Sequence, residues 1–300
     1  MYKPKVVVLA EPFLRDELLD DVKRVLGFDY GLSNGAWDGK LWIFWMNDVD
    51  VSMVSCGTQQ ITVLVSNGSM KCKASFVYAK CTYVQRRELW ADLEKESNGT
   101  EPWLITGDFN IIVSDEERQG GRPRPLVAME EFNFWIHSCG LLELKYLGKR
   151  FSWCNGHVGR DRSWARLDRS LVVQNFVQAF PDSFMRYLPR TSSDHALMVI
   201  SLEKNVAKYG PSPFQFQQIW VDHVDFPRCV REVWDQPEAR SGLLKLAVKL
   251  KKLKVALKGW NKTIFGWTSG HIKELEDWIK RLESHLQLNY DEEVELDLLA

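Results

Sequence analysis

A layered α/β fold is what this sequence predicts, on three observations. Short runs rich in β-branched and aromatic residues, bounded by Gly, Asn, Asp or Ser, recur through the first two thirds of the chain. Amphipathic stretches at helical spacing are interleaved with them, the pattern of strands whose apolar faces are covered by helices. The composition, 45% hydrophobic and 26% charged over 300 residues with 19 Gly and 11 Pro, allows a sizeable core and argues against disorder, collagen-like repeats or a disulfide miniprotein.

The predicted strands are Val6 to Leu9, Leu41 to Trp45, Ile61 to Val65, Lys73 to Tyr78 and Trp103 to Thr106, with a further apolar run from Leu197 to Leu202. Glu88 to Glu96 and Ala128 to Cys139 predict helices, and Gly140 is a stop signal for the second. Around Asn205 to Pro213 the chain turns to Gly, Pro and polar residues, which predicts a boundary between residues 1–203 and 204–300. Beyond it, Leu246, Leu250, Leu253 and Leu257, then Ile272, Leu275, Ile279, Leu282 and Leu286, step by threes and fours. Two amphipathic helices follow, folded back as a hairpin through the Gly266 to Gly270 breaker, before an acidic tail from Asp291. The first carries seven lysines, Lys245 to Lys262, with no acidic residue between them; a solvated face and a nucleic-acid-facing surface are both open readings.

With 39 basic and 40 acidic residues the net charge is −1, so a chain-wide basic coat is absent and any polyanion must be gripped in one cleft. No apolar run approaches the ~20 residues of a membrane span, and the first ten residues lack a signal peptide's apolar segment, so the sequence reads as soluble and intracellular, with no membrane partner. Six scattered cysteines form no CxxC pair and read as small hydrophobes rather than a zinc site or disulfide framework. Most of the 13 Trp read as core anchors.

Three islands hold acidic groups at strand ends, where α/β scaffolds expose their chemistry. The first strand delivers Glu11, with Pro12 preventing its continuation as a central strand. In Thr106-Gly107-Asp108-Phe109-Asn110, an extended chain would turn Asp108 and Asn110 to one side, a carboxylate to take a proton beside an amide to orient water; an Asx turn is the alternative. In Thr191-Ser192-Ser193-Asp194-His195 a carboxylate adjoins an imidazole, and upstream Asp168 can hydrogen-bond that ring and keep it protonated for a phosphate oxyanion. Arginines crowd the same segments, among them Arg118, Arg122 and Arg124, Arg166 and Arg169, and Arg186 and Arg190, which fits an anionic substrate. Converged, these groups are an inventory for metal-assisted phosphodiester hydrolysis.

Glu11, the Gly-Asp-Phe-Asn at 107–110, Arg-Leu-Asp-Arg at 166–169 and Ser-Asp-His at 193–195, in that order, resemble the endonuclease/exonuclease/phosphatase superfamily. The segments Lys3 to Glu11, Phe151-Ser152-Trp153, Trp164 to Arg169 and Leu188 to His195 are similar to the endonuclease domain of plant non-LTR (LINE-type) retrotransposons, and Pro213 to Phe216 with Trp260 to Gly266 resemble the linker that precedes reverse transcriptase there. The resemblance implies a four-layer α/β sandwich with two mixed β-sheets and, over 204–300, a helical linker region. It implies DNA as partner, a nuclear location, Mg²⁺ as cofactor with Glu11 and Asp194 as its ligands, and Asp108 as the group that activates water. Asn110 would be its companion, Tyr78 would lie near the phosphate, Asp168 would orient His195, and His195 would contact the phosphate. Arg122, Arg166 and Arg190 are the expected substrate-binding cations. The family's first strand, with its Asn, precedes the element with which this sequence opens, and Leu197 stands where a Pro is frequent; both lead us to expect weakened or absent activity. The alternatives are a non-catalytic remnant that binds nucleic acid or a partner through its helical tail and, with Asn155-Gly156 following Trp153-Cys154, less favourably a phosphatase acting on inositol phosphates or lipids.

Overall fold

The computed structural model describes residues 2–97, 99–190, 193–202, 214, 216, 220–264, 268–288 and 290–299. The chain divides into two compact units, Met1–Lys204 together with Lys280–Ala300, and Asn205–Ile279. The first unit opens with β1 (Val6–Ala10), α1 (Leu19–Leu26), β2 (Tyr30–Ser33), β3 (Leu41–Trp45), β4 (Asp50–Cys56), β5 (Gln60–Asn67), β6 (Met70–Tyr78), α2 (Tyr83–Glu96) and β7 (Trp103–Asp108). It continues through β8 (Arg118–Gln119), α3 (Leu126–Ser138), β9 (Leu142–Glu143), β10 (Tyr146–Leu147), β11 (Trp153–Cys154), β12 (Trp164–Ala165), β13 (Asp168–Val172), α4 (Gln174–Ala179), β14 (Phe184–Tyr187) and β15 (Met198–Ser201). Helices α5 (Phe226–Trp234), α6 (Gly242–Ile264), α7 (Thr268–Leu288) and α8 (Glu292–Leu299) follow.

The largest sheet has six strands in the order β4-β5-β6-β7-β13-β9, parallel between β6 and β7 and antiparallel elsewhere. Three-stranded sheets β1-β3-β2, β10-β14-β15 and β11-β12-β8 complete the mixed α/β architecture. β1 occupies an edge, as Pro12 requires. β7 opens on the apolar run Trp103-Leu104-Ile105 because both faces of its sheet are covered there. Ile105 points into a core shared with Leu89 and Trp90 of α2 and Phe132 and Trp135 of α3, while its neighbour Leu104 points into a second core with Ile43, Phe76, Phe176 and Met185. In the first core Trp90, Phe109, Phe132 and Trp135 stack with centroids 4.7 to 6.3 Å apart, within the range where aromatic pairs add to simple burial.

Helix α2 begins with Thr82, whose hydroxyl accepts the Gln85 amide, and α3 ends before Gly140, whose φ of 60° only glycine adopts cheaply. All six cysteines are free thiols. No helix among the described residues is long and apolar enough to cross a membrane. In the second unit Phe216, Trp220, Phe226 and Trp260 make an aromatic cluster between α5 and α6, and Trp220 Nε1 donates to Asn261 Oδ1 at 2.7 Å. The sequence points to two helices beyond residue 204, whereas the described residues there hold four; α5 and α8 are short, eight or nine residues, too brief for a periodicity to stand out. The expected boundary at 205–213 and residues 265–267 of the expected turn lie outside the described residues, and α7 already begins at Thr268.

Candidate active site

Three acidic or phenolic side chains are set by strand register. Tyr78 ends β6, Asp108 ends β7 and Asp168 begins β13, and the register pairs Asp108 with Tyr78 on one side and Asp168 on the other. Gly107 permits this spacing: its φ is +143°, and a Cβ there would lie 2.0 Å from the Val77 carbonyl oxygen. Asp108 and Asp168 are buried. Asp168 is fixed through its backbone, since the amides of Leu167 and Asp168 both donate to the Ser152 hydroxyl at 3.0 Å and the Tyr187 hydroxyl donates to the Asp168 carbonyl.

His195 sits between the two carboxylates. Its Nδ1 is 2.8 Å from Asp168 Oδ2 and its Nε2 is 3.8 Å from Asp108 Oδ2, and the three residues bring ligand atoms within 4.8 Å of one another. Burial pulls the imidazole down, yet the bond to Asp168 and the charges of Asp168, Asp108 and Asp194 raise it to about 9, so the ring is a cation at neutral pH. Asp108 moves the other way from an ordinary carboxyl. Burial and the neighbouring Asp168 push it up to about 7, against the pull of His195 and the Asn110 amide. A carboxyl placed there holds or releases a proton near neutrality, as a general base needs.

The loop bearing Asp194 and His195 is stitched to β11. Trp153 and His195 form an antiparallel bridge, the Cys154 amide donates to the Asp194 carbonyl at 3.0 Å, and the Ala196 amide donates to the Ser152 carbonyl at 2.6 Å. Trp153 Nε1 donates to Asp194 Oδ2 at 2.9 Å. Thr191 and Ser192 lie outside the described residues. Glu11 leaves β1 with φ +51°, a conformation non-glycine residues rarely adopt, and pairs with Lys40 at 2.9 Å. Burial is the largest single influence on the Glu11 carboxyl and raises it, but the bonds from Lys40 and Tyr78 and the Lys40 charge together outweigh it and hold it below the usual range; burial and Glu11 in turn raise the Tyr78 phenol.

Asn110 corrects the extended-chain reading. Its φ is +52°, its amide donates to Asp108 Oδ1 at 2.8 Å and its Nδ2 donates to the Ala79 carbonyl at 2.8 Å, so the segment is an Asx turn that aims Asp108 rather than an extended pair. Of the arginines, Arg122 is exposed on the wall of a cavity of about 260 Å³ with Arg118, Arg124, Trp153 and Asn155, and among the described residues neither Arg122 nor Arg124 is paired with a carboxylate. Arg166 has a different task from the expected substrate contact. It is buried between Glu117 at 3.1 Å and Glu143, lies 3.8 Å from the Tyr146 ring centroid, and with Arg169 forms a four-membered ion-pair cluster behind Asp168. Arg190 donates to the Asp194 carbonyl at 3.4 Å and to Glu283 at 2.7 Å.

Several contributors carry no motif in the sequence. Arg86, buried in α2, donates from Nη1 to the carbonyls of Lys80, Cys81 and Asn110, placing a guanidinium behind the turn that aims Asp108. Ser152, Trp153 and Tyr187 hold the backbone or carboxylates of the site, and only the first two fall in a segment that the sequence singles out. The donor chemistry fits a hard divalent cation. Four carboxylates, Glu11, Asp108, Asp168 and Asp194, influence one another's ionisation or that of His195, and beside burial, the main cause of the upward push on Asp108, the charges of Asp168 and Asp194 add a part that a cation would relieve.

Residues 2–195 match the model of the Endonuclease/Exonuclease/phosphatase family. No curated protein matches the chain. Among solved structures, the chain is similar to the endonuclease domain of TRAS1, a telomere-specific non-LTR retrotransposon, at 15% identity and a TM-score of 0.46, covering 69% of this chain and 83% of that one. It is also similar to the 3′-5′ exonuclease NExo of Neisseria meningitidis, at 18% identity and a TM-score of 0.49, over 67% of this chain and 90% of that one. A third similarity is to TDP2 of C. elegans, at 16% identity and a TM-score of 0.44, over 65% of this chain and 64% of that one.

Proposed function

Because the chain belongs to the Endonuclease/Exonuclease/phosphatase family, we propose that it hydrolyses phosphodiester bonds of DNA as the endonuclease of a non-LTR retrotransposon-derived protein, with Mg²⁺ as its cofactor. The observation that carries this reading is the imidazolium of His195 held between Asp168 and Asp108. In the proposed reaction Asp108, poised near neutrality, takes the proton of a water molecule as that water attacks phosphorus. His195, kept cationic by Asp168, donates a hydrogen bond to a non-bridging oxygen whose charge grows in the transition state. Tyr78, its phenol bonded to Glu11, lies near the same phosphate and steadies that carboxylate. Arg122, with Arg124, draws the flanking phosphates toward the cavity beside Trp153.

Glu11 and Asp194 are the proposed holders of the cation. When bound it supplies a positive charge that polarises the phosphate and stabilises the leaving oxygen. The Asx turn at Asn110 keeps Asp108 pointed at the water, and Arg86 steadies that turn from behind. Residues 204–300 are proposed to correspond to the linker region that precedes reverse transcriptase in such elements.

The test is nicking of supercoiled plasmid by the full chain. Nicking is expected with Mg²⁺, is abolished by EDTA, and is lost in Asp108→Asn and His195→Ala. A folded wild-type protein that leaves the plasmid intact across divalent ions would refute the reading, and release of phosphate from inositol polyphosphates without nicking would replace it.

A further inference from the structure

We propose that Glu283, in α7, is a positioning residue for this site: through Arg190 it sets the loop that carries Asp194 and His195. Residues 280–300 belong to the same compact unit as the candidate site, although they follow it in sequence by more than eighty positions. Leu286 is buried against Phe151, Cys154 and Trp164, with Val294 and Leu298 packed on the same cluster. That packing carries Glu283, only 2% exposed, into contact with two basic side chains, Lys149 and Arg190.

Arg190 is the link. One arm of its fork, Nη2, is 2.7 Å from Glu283 Oε1, the other, Nη1, donates to the Asp194 carbonyl, and the guanidinium lies 4.7 Å from the Trp164 ring centroid. The Asp194 carbonyl is thus held from one side by the Cys154 amide at 3.0 Å and from the other by Arg190 at 3.4 Å. The longer bond is close to the limit of useful geometry, so a small displacement of the guanidinium breaks it. A charge-assisted pair to a buried carboxylate is what prevents that displacement. With Glu283 neutral, the buried guanidinium of Arg190 loses its charged partner, and Arg190 has reason to turn away. Glu295 supplies the internal comparison. It too is 2% exposed, pairs with Arg162 at 2.6 Å and accepts the Gly159 amide, but among the described residues it bonds neither Arg190 nor the loop.

The indole of Trp153, bonded to Asp194 Oδ2 at 2.9 Å, reports the position of the loop whether or not the protein cleaves DNA. In the ¹⁵N-labelled full chain its N–H signal is identified by its loss in Trp153→Phe. Glu283→Gln is expected to move that signal, Glu283→Asp to bring it part of the way back, and Glu295→Gln to leave it in place, all three remaining cooperatively folded. The kinetic arm rests on the hydrolytic reading above: Glu283→Gln is expected to lower kcat for nicking on the order of tenfold with KM unchanged, while Glu295→Gln changes neither. A folded Glu283→Gln protein with an unmoved Trp153 signal, or a Glu295→Gln protein that moves it equally, overturns the positioning role. Should Glu283→Gln not accumulate as folded protein, Arg190→Lys, which keeps the ion pair and removes the fork, decides by the same signal. A wild-type protein that fails to nick sinks the hydrolytic reading and leaves the indole arm standing.

Discussion

Replacing Asp168 by Asn keeps the shape of the side chain and removes the carboxylate that lies 2.8 Å from His195 Nδ1. In the native protein burial alone would lower the imidazole, but the bond to Asp168, its charge and those of Asp108 and Asp194 carry it from 6.5 up to about 9. A rise of that size corresponds to roughly 3 kcal/mol of preference for the imidazolium. Removing Asp168 eliminates the two largest upward contributions, so burial is opposed only by Asp108 and Asp194, and the midpoint is expected to fall by about two pH units. The sign for stability follows. A folded-state value above the unfolded one makes the contribution of His195 complete below pH 6.5 and loses it as pH climbs through about 9. In Asp168→Asn that pH-dependent gain shrinks, so urea midpoints measured below 6.5 and above 9 should differ less than in the wild type. The direct assay is an NMR titration of the His195 ring protons, assigned by their absence in His195→Gln. A midpoint that stays near 9 in Asp168→Asn would show that another group charges the imidazole, and the account of the site would fail.

Other perturbations test neighbouring parts of the structure. The nicking rate should rise as Asp108 loses its proton around 7 and fall as His195 loses its own around 9, giving a bell, and a rate still climbing above 9 contradicts the assignment of His195 as a cationic donor. Gly107→Ala puts a Cβ onto the Val77 carbonyl at φ +143°, at an expected cost of more than about 3 kcal/mol by urea unfolding; a loss within about 1 kcal/mol would mean that β6 and β7 are not so closely paired. Glu117→Ala strips one carboxylate from the cluster that buries Arg166 and Arg169 and should destabilise by about 3 to 5 kcal/mol, and a near-neutral result would place that cluster in solvent.

The sequence discloses more of the candidate site than of its supports. β3 matches its predicted span, and the predicted cores of β5, β6 and β7 lie inside longer strands, because apolar β-branched runs bounded by turn residues are local signals. β8 to β12 escape notice because each is two residues long and exists only by pairing with distant segments. Asp108, Asp168 and His195 stand out by residue type, but their convergence depends on strand order that no local pattern encodes. The misreading of Asn110 arose from extending β7 two residues too far, when the chain had already turned into the left-handed region. Arg166 has the same composition-level signature as a substrate-binding arginine; only the carboxylates of Glu117 and Glu143, brought from remote positions, reveal that it is engaged. The tail from Asp291 stands out in the sequence only by its acidity, yet Val294 and Leu298 give it an apolar side that packs on the cluster around Leu286 and carries Glu295 inward.

The pairing of Tyr78, Asp108 and Asp168 across three neighbouring strands makes the site's electrical character a matter of alignment. If β13 slid by a single position, Arg169 would take the place of Asp168 opposite Asp108, and every side chain along the strand would exchange faces. A lone codon gained or lost inside β13 would therefore put a base or an apolar side chain where an acid stands, and one inside β6 or β7 would move Tyr78 or Asp108 out of that row, whereas the same change in a connecting loop would leave it intact. Insertions along this chain should be tolerated or forbidden accordingly, with the boundary drawn at the ends of those three strands.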